Sequence, residues 1–347
     1  MFEEDGSIFV RLSDDFKTRK APDFKIFLQS YIHAATIAAR LPAGVFNPCG
    51  VLLKAQTPED RVRFQKIAAG GLAPKDWLHC RDDGLFFPQA GIIDPKRYVD
   101  ALLGDAPVIR ERVISVTCGD SANTLDVKTD KDRYQDYKAI IFANSVEASR
   151  SVGGDALGLS GVAGQIDIFP DASPPDHGVA FGPYAGPAPA RGLVIGATYE
   201  KLASGAAAIV TAAATASNIK AVSEGAPDVA DRLETSKAES RASVRCQTPD
   251  RLPVVGPMPD WAFFAENYAG LTKGQRAQGR GGAYPPARYQ PGVFVLAGLG
   301  SRGLVTAPLC AEVIASLATG APLPVAADVA DALHPARFCI RALKRGR

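Results

Sequence analysis

Apolar residues recur at helical spacing near the start of the chain, between Asp23 and Leu41, and Pro42 follows directly. This pattern predicts a helix with one buried face that ends before the proline. A second helix is predicted over Pro58–Ala69, with Thr57 as its N-cap. A third helix is expected to open at Asp94-Pro95, because proline suits the first helical position, where its missing N–H costs no hydrogen bond.

From Val108 to Ser145 the apolar residues no longer recur at helical spacing; this region consists of short β-branched runs separated by Gly, Asp and Asn. They predict an antiparallel meander that ends in a more buried strand, Ala139–Ala143. Further strands are predicted at Gly164–Phe169 and Leu193–Thr198, and the proline-rich stretch between them is predicted to be an irregular surface loop. The basic, glycine-rich region from Thr272 to Gln290 predicts a flexible linker.

The end of the chain combines a buried strand, the glycine turn GLGSRG and an apolar helix that stops at Gly320. Gly298, Gly300 and Gly303 match G-x-G-x-x-G in the strand-to-helix context that a dinucleotide fingerprint needs. The proline-broken stretch after Gly320 does not predict the second strand of such a unit. Two interpretations stay open: a helix N-terminus that approaches a ligand closely, or tight packing of strand against helix.

Composition predicts a two-domain globular protein, because 46% of the 347 residues are hydrophobic. The net charge is only +2, but residues 273–347 hold ten Lys or Arg against three acids, so the preceding part carries −5. Two interpretations of this basic end are equally good: it binds a polyanionic partner, or it is a solvated tail.

Isolated cysteines and histidines exclude several kinds of site. The six cysteines form no C-x-x-C pair, which is typical of reduced thiols in a cytoplasmic protein. No two of the four histidines have metal-ligand spacing and no G-x-S-x-G occurs, so neither a metal site nor a serine hydrolase is expected. Neither a signal peptide nor an apolar run of membrane-spanning length is recognised, and no membrane association is expected.

The segment at residues 244–260 indicates a family only together with other segments of the chain. Alone, VRCQTPDRLPVVGPMPD (residues 244–260) is typical of a structured loop with salt bridges. Together with GLGSRGLVTAPLCAEVIASL it resembles the D-amino-acid-oxidase class of flavoproteins. With FNPCGVLL, FPQAGIIDP, AIIFANS, AGQIDIFP, PYAGP and GATY, in order from Gly6 onward, the chain is similar to a narrower family. This is the oxidoreductase half of the bifunctional enzymes that mature 5-carboxymethylaminomethyl-2-thiouridine at the tRNA wobble position.

The resemblance implies an α/β (α+β mixed) fold with a split, N-terminally truncated FAD-binding domain and a substrate domain built on a mixed or antiparallel sheet. The FAD-binding domain is expected at residues 1–45, 85–155 and 290–347, and the substrate domain at 46–84 and 156–289. The family's first strand, glycine turn and helix, which seat the FAD pyrophosphate, do not precede Met1 in this sequence. Weaker FAD binding by this chain is therefore expected.

The resemblance also assigns candidate site residues. Gly298, Gly300, Ser301, Arg302, Gly303 and Leu304 are expected at the flavin ring, where a helix N-terminus stabilises negative charge. Arg245 is expected to clamp the substrate carboxylate, with Tyr184 and Tyr199 beside the substrate. The sequence departs from the family at two positions: Pro249 replaces an arginine, and Arg251 replaces a histidine.

The implied reaction is FAD-dependent oxidation of the carboxymethylaminomethyl group, followed by imine hydrolysis to glyoxylate and aminomethyl uridine, with dioxygen as final oxidant. The expected partners are tRNA and a separate methyltransferase that acts on the product. Two alternatives stay open: a small-molecule amine or glycine-type oxidase of the same fold, and a non-catalytic remnant that binds RNA or a partner protein.

Overall fold

A computed structural model describes residues 22–346 except 72–73, 122, 152–154, 189–190, 234–236 and 274–283. The GSIFVRLS segment and most of the predicted linker lie outside these residues. The described chain contains ten α-helices. They are α1 (Pro22–Ala38), α2 (Pro58–Ala69), α3 (Pro95–Leu103), α4 (Ala148–Ser151), α5 (Ala212–Gly225), α6 (Pro227–Ala230), α7 (Trp261–Asn267), α8 (Gly303–Thr319), α9 (Ala327–Leu333) and α10 (Ala336–Lys344).

Seventeen strands accompany them in the described residues. They are β1 (Phe46–Asn47), β2 (Val51–Lys54), β3 (His79–Arg81), β4 (Gly84–Phe87), β5 (Ile92–Ile93), β6 (Val113–Cys118), β7 (Leu125–Thr129), β8 (Arg133–Tyr137), β9 (Ile140–Phe142), β10 (Ser160–Phe169), β11 (Gly178–Ala180), β12 (Tyr184–Ala188), β13 (Gly192–Gly196), β14 (Glu200–Lys201), β15 (Glu239–Gln247), β16 (Val254–Pro259) and β17 (Tyr289–Ala297).

Local capping sets the helix boundaries that the sequence predicts. At α2 the Thr57 hydroxyl accepts from the Asp60 N–H, and the Asp60 carboxylate accepts from the Thr57 N–H, a reciprocal capping box. Asp94 caps α3 by accepting from the N–H of Arg97. Gly320 ends α8 in the left-handed conformation, with φ +75°. These three boundaries are confirmed, and α1 ends at Ala38, slightly before its predicted end at Leu41.

The strands form one large sheet and two small ones, besides the short β1–β5 pair. The large sheet has nine strands; eight follow the order β14-β10-β13-β12-β11-β2-β4-β3, and the ninth, β15, also pairs with β10. Most of its pairs are antiparallel, and β11 with β2 is parallel. The second sheet has the order β16-β17-β9, and the meander β6-β7-β8 forms the third. The fold is thus mixed α/β, as the resemblance implies.

The strand predicted at residues 139–143 and the closing strand, both in the expected FAD-binding part, lie in the same small sheet. β9 runs parallel to β17, with Ile141 opposite Phe294. The expectation that β9 is well buried is wrong, because Ile141 is 47% exposed. Ile140 and Phe142 pack against a core cluster, and Ile141 faces the opposite side of the sheet, because successive side chains of a strand alternate between its two faces.

The proline-rich stretch after Phe169 corrects a second expectation. Instead of an irregular surface loop it contains β11 and β12, which lie inside the nine-stranded sheet. Val179 and Ala185 are buried there, and the hairpin closes where the Phe181 N–H donates to the Pro183 carbonyl. Neighbouring strands on both sides satisfy the backbone, so the low strand propensity of Gly and Pro is overridden by tertiary pairing.

Sheet membership differs from the expected domain boundaries at two strands. β4 lies in the large sheet, although the boundary at residue 85 places most of it in the FAD-binding part. β16 pairs with β17 in the three-stranded sheet, although residues 156–289 are assigned to the substrate part. The division into two domains itself stays a prediction.

Helix α8 is the central helix of one core cluster. Leu309, Val313 and Ile314 pack with residues of α1, α9 and the small sheet. The segment Gly300–Thr319 is long and apolar enough to meet the length and composition criterion for a membrane span, which differs from the expectation that no apolar run has that length. Leu309, Val313 and Ile314 account for part of its apolar composition, because they are buried in this core.

Candidate active site

The glycine turn between β17 and α8 brings bare backbone to the edge of a cavity. Gly298 has φ +69°, and a Cβ there would lie 2.6 Å from Thr248 Cγ2, so only glycine fits. Gly300 has φ +58°, and a Cβ there would meet nothing within 4 Å, so its backbone faces open space. No side chain caps the first turn of α8, which continues directly from a 3-10 turn at Gly300–Arg302, and the N-terminus of such a helix carries partial positive charge.

Arg245 reaches the same cavity from β15. Its side chain is mostly enclosed, with the residue 7% exposed, and Nη1 donates to the carbonyl of Thr198 at 3.1 Å. The guanidinium lies over Gly164 of β10, where a Cβ would come within 1.8 Å of Nη1. The absence of a side chain at Gly164 is therefore what lets Arg245 occupy this position.

An isolated bridge between Gln247 and Leu299 joins the end of β15 to the glycine turn, so the large and small sheets meet at the cavity. The cavity has a volume of about 540 Å³. Its described lining contains three arginines and no carboxylate. The lining residues are Val51, Leu53, Phe87, Ala180, Gly182, Pro183, Tyr184, Ala197, Thr198, Tyr199, Arg245, Gln247, Arg251, Gly298, Leu299, Gly300, Ser301 and Arg302.

Most of the predicted site residues share this one cavity. Arg245, Tyr184 and Tyr199 lie in its wall, as do Gly298, Gly300, Ser301 and Arg302. Gly303 and Leu304 do not line it; Gly303 begins α8, and Leu304 packs against the cluster around Tyr98 and Val305. The cavity thus brings the predicted residues together, and the role of each residue stays a prediction.

The two tyrosines differ in their surroundings. Tyr184 is 9% exposed and lies in the middle of the large sheet. Tyr199 is 58% exposed at the mouth of the cavity, where its hydroxyl donates to the amide oxygen of Gln247. Arg302 lies over the ring of Phe27, with its guanidinium carbon 4.1 Å from the ring centre.

Sequence reasoning missed several residues of this site. Gln247 and Arg251 belong to the VRCQTPDR segment, so the resemblance contained a signal for both. Gly164 and Thr198 lie in AGQIDIFP and GATY, which also carry the resemblance, but their relation to Arg245 arises only from the pairing of β10 with β15 and from the chain that follows β13.

Asp250 anchors the loop that carries Arg251. Its carboxylate accepts bonds of 3.0 Å from both Nε and Nη2 of Arg337, and Arg341 also donates to it. Burial alone would raise the pKa of the Asp250 carboxyl, but the hydrogen bonds and charge of Arg337, joined by Arg341, lower that pKa to about 2. The salt bridges expected for this segment are thus present, and they fix the loop to α10.

The described residues contain no cluster of three or more His, Cys, Asp or Glu side chains that could hold a metal ion. All six cysteines are free thiols; Cys246 and Cys310 are buried, whereas Cys118 is exposed. The chemistry available in the cavity is therefore that of cationic and hydroxyl groups beside a helix N-terminus.

This arrangement fits the ring end of a flavin. The backbone of Gly300 borders open space, and the N-terminus of α8, a partly positive helix end, follows directly after the residues that line the cavity. A reduced flavin ring accumulates negative charge, which such a helix end stabilises. The residues that would hold the ring are those of the turn from Gly298 to Arg302.

Comparisons with known proteins agree with this interpretation. The chain is 28% identical to the tRNA 5-methylaminomethyl-2-thiouridine biosynthesis bifunctional protein of Chromohalobacter salexigens, over 98% of this chain and 51% of that protein. It is 29% identical to the protein of the same name from Pseudomonas aeruginosa, over 99% of this chain and 54% of that protein. The chain therefore spans about half the length of the curated relatives it matches.

Solved structures show the same fold at lower identity. Glycine oxidase from Geobacillus kaustophilus superposes with a TM-score of 0.67 at 19% identity, over 92% of this chain and 84% of that one. Iminodiacetate oxidase from Chelativorans gives a TM-score of 0.67 at 19% identity, over 93% and 86%. The model of the family described as FAD dependent oxidoreductase matches residues 14–317. The chain belongs to the FAD dependent oxidoreductase family, whose cofactor is FAD.

Proposed function

We propose that this chain catalyses FAD-dependent oxidation of the carboxymethylaminomethyl group on a tRNA wobble uridine, releasing glyoxylate and leaving aminomethyl uridine. The observation that carries the proposal is the guanidinium of Arg245, held inside a cavity that the glycine turn at Gly298 also lines. The names of the curated relatives support tRNA as the source of the substrate.

Arg245 binds the substrate carboxylate. A guanidinium presents parallel N–H donors that match a carboxylate, and Thr198 and Gly164 hold this one in place. Binding the carboxylate orients the adjacent methylene toward the glycine turn. The apolar wall formed by Val51, Leu53 and other residues excludes water from the reacting carbon.

The charges of the cavity favour the neutral amine, which is the reactive form. Three arginines line the cavity and the described lining contains no carboxylate to stabilise an ammonium group. A positive environment lowers the pKa of a bound amine. The nitrogen lone pair is then available for oxidation of the neighbouring C–H bond without a protein base on that nitrogen.

When bound, FAD would supply the two-electron acceptor, and its reoxidation by dioxygen would give hydrogen peroxide. The methylene loses a hydride, the nitrogen loses a proton, and a C=N bond forms on the substrate. Once this product has left the apolar wall, water adds to that carbon and the C–N bond breaks, giving glyoxylate and the primary amine. We propose that a separate methyltransferase acts on this amine and that the FAD-binding and substrate parts divide as the resemblance implies.

The test is the oxidation of RNA by this chain with excess FAD, measured by nucleoside mass spectrometry and by glyoxylate release. The Arg245→Ala variant should lower kcat/KM roughly 10- to 150-fold, which corresponds to a loss of about 1.5–3 kcal/mol of binding free energy. The change should appear mainly as a higher KM. Arg191→Ala, which removes an exposed arginine paired with Glu239, is the matched control and should leave both constants unchanged. If the two substitutions changed kcat/KM equally, the proposal that Arg245 binds the substrate carboxylate would be contradicted.

A small N-substituted glycine is the second candidate substrate, because the cavity requires only a carboxylate beside an amine. The structural neighbours named glycine oxidase and iminodiacetate oxidase share the fold. Glycine, iminodiacetate and modified RNA compared at equal concentration separate the two functions. Turnover of the small amines without turnover of RNA would replace the tRNA proposal, and RNA binding without oxidation would indicate a non-catalytic role.

A further inference from the structure

Arg251 stands apart from the other two arginines of the cavity. Arg245 is enclosed, and Arg302 lies over Phe27, whereas Arg251 is exposed at the cavity wall. Within the described ranges, its guanidinium has no hydrogen-bond or ion-pair partner. An unpaired cation at the mouth of a cavity without carboxylates is available for an anionic group of the ligand.

The loop holds Arg251 in a backbone conformation that arginine seldom adopts. Its φ is +62°, and its N–H donates to the carbonyl of Thr248 at 3.2 Å. Both neighbours are fixed by Arg337, which binds the Asp250 carboxylate and donates to the Leu252 carbonyl at 2.8 Å. A non-glycine residue at positive φ persists only where its surroundings over-determine it, so both flanking residues fix the backbone from which the Arg251 side chain reaches the cavity wall.

The charge beside Arg251 extends along α10. Arg341 binds Asp250 while its side chain remains 46% exposed, and Lys344 and Arg345 follow as exposed cations at the end of the same helix. Helix α10 contains no acidic residue. These cations, which are linked to the Arg251 loop through Asp250, suit a ligand with several anionic groups, and a polynucleotide backbone is such a ligand.

Resting on the proposed function, we infer that Arg251 binds a backbone phosphate next to the nucleotide whose modified base enters the cavity. Arg245 then binds the carboxylate inside the cavity and Arg251 the phosphate at its mouth. Arg251 thereby selects an RNA-borne amine over a free one, since a small amine bound to Arg245 has no phosphate to present. This assigns Arg251 to substrate selection and not to the oxidation step.

The experiment measures binding of a fluorescent anticodon stem-loop RNA, carrying the carboxymethylaminomethyl group, to this chain with excess FAD. Anisotropy titrations at several salt concentrations compare the wild type with Arg251→Gln and Arg251→Lys. Arg251→Gln should raise Kd about ten-fold and reduce the slope of log K against log salt by about 0.7, the value of one phosphate contact on a single strand. Arg251→Lys retains the charge and should restore the slope.

Arg61→Gln is the matched control, because it removes an exposed arginine of α2 that does not line the cavity. It should leave the salt slope unchanged. Thermal melts of every variant exclude loss of folding as the cause of an altered Kd. An unchanged Kd and slope in folded Arg251→Gln overturn the inference.

Oxidation of iminodiacetate by the same variants distinguishes a phosphate from a second carboxylate. A loss of kcat/KM for iminodiacetate in Arg251→Gln, with RNA binding unaltered, overturns the inference and assigns the residue to a small diacid. Unaltered iminodiacetate kinetics with weakened RNA binding support it. If the wild type binds RNA through Arg251 but does not oxidise it, the proposed function fails while the assignment of Arg251 stands.

Discussion

Gly164→Ala tests the position of Arg245 without altering any charge. A Cβ at residue 164 would lie 1.8 Å from Nη1, 2.3 Å from Cζ and 2.5 Å from Nη2 of Arg245. All three separations are far below van der Waals contact, so the guanidinium must move. Since the colliding atoms are at the end of a flexible side chain, β10 itself need not shift.

The displaced guanidinium loses its 3.1 Å bond to the Thr198 carbonyl and its alignment with the substrate carboxylate. A hydrogen bond to a charged group contributes about 1.5–3 kcal/mol, so kcat/KM should fall roughly 10- to 150-fold. The loss should occur mainly in KM, because the carboxylate is bound equally in the ground and transition states. The free energy of unfolding should change by less than about 1 kcal/mol. Alanine is more stable than glycine in a strand interior, and this gain offsets part of the loss.

Steady-state oxidation with excess FAD, together with thermal melts, measures both effects. Gly161→Ala on the same strand is the control, because its Cβ would meet Val244 Cγ1 at 3.1 Å and no cavity residue. The double variant of Gly164→Ala with Arg245→Ala should lose no more activity than Arg245→Ala alone. An unchanged KM in Gly164→Ala, or additive losses in the double variant, would refute the reasoning.

Three further predictions concern stability, each measured by chemical unfolding. Asp250→Asn leaves the buried guanidinium of Arg337 without its carboxylate and should lower the free energy of unfolding by about 3–5 kcal/mol, whereas Glu239→Gln, in an exposed ion pair, should change it by less than about 1 kcal/mol. Burial lowers the pKa of His334 to about 4 from its ordinary 6.5, so the unfolded chain binds the proton first; stability should fall by about 3 kcal/mol between pH 6.5 and pH 4, and His334→Asn should flatten that fall. Gly298→Ala should lower the free energy of unfolding by more than about 1 kcal/mol, because the positive φ and the contact with a threonine methyl both oppose a Cβ. A smaller loss would contradict the conclusion that only glycine fits this turn.

The sequence alone determined features that depend on residues a few positions apart. The capping box at Thr57, the Asp94-Pro95 helix start and the stop at Gly320 all appear where they are predicted, because each is settled within one helical turn. The strand, glycine turn and helix at the end of the chain are equally local. Family membership was also readable, because motifs recur in order along the chain.

Tertiary structure alone decided which strands are covered and which residues meet. The stretch containing β11 and β12 is rich in Gly and Pro and locally disfavours a strand, yet pairing on both sides buries it. β9 is apolar, yet Ile141 stays exposed, because it faces away from the core cluster that Ile140 and Phe142 contact. The local sequence pattern indicates the propensity of a segment to form a strand, whereas the burial of that strand depends on neighbours that are distant in sequence.

The substrate cavity shows the same division. The segment VRCQTPDR identified Arg245 and contained Arg251, but not the space at Gly164 or the acceptor at Thr198. Those relations require β10, β13 and β15 to lie side by side in register. A side chain's reach depends on what the opposing strand leaves empty, and that is fixed only when the strands pair.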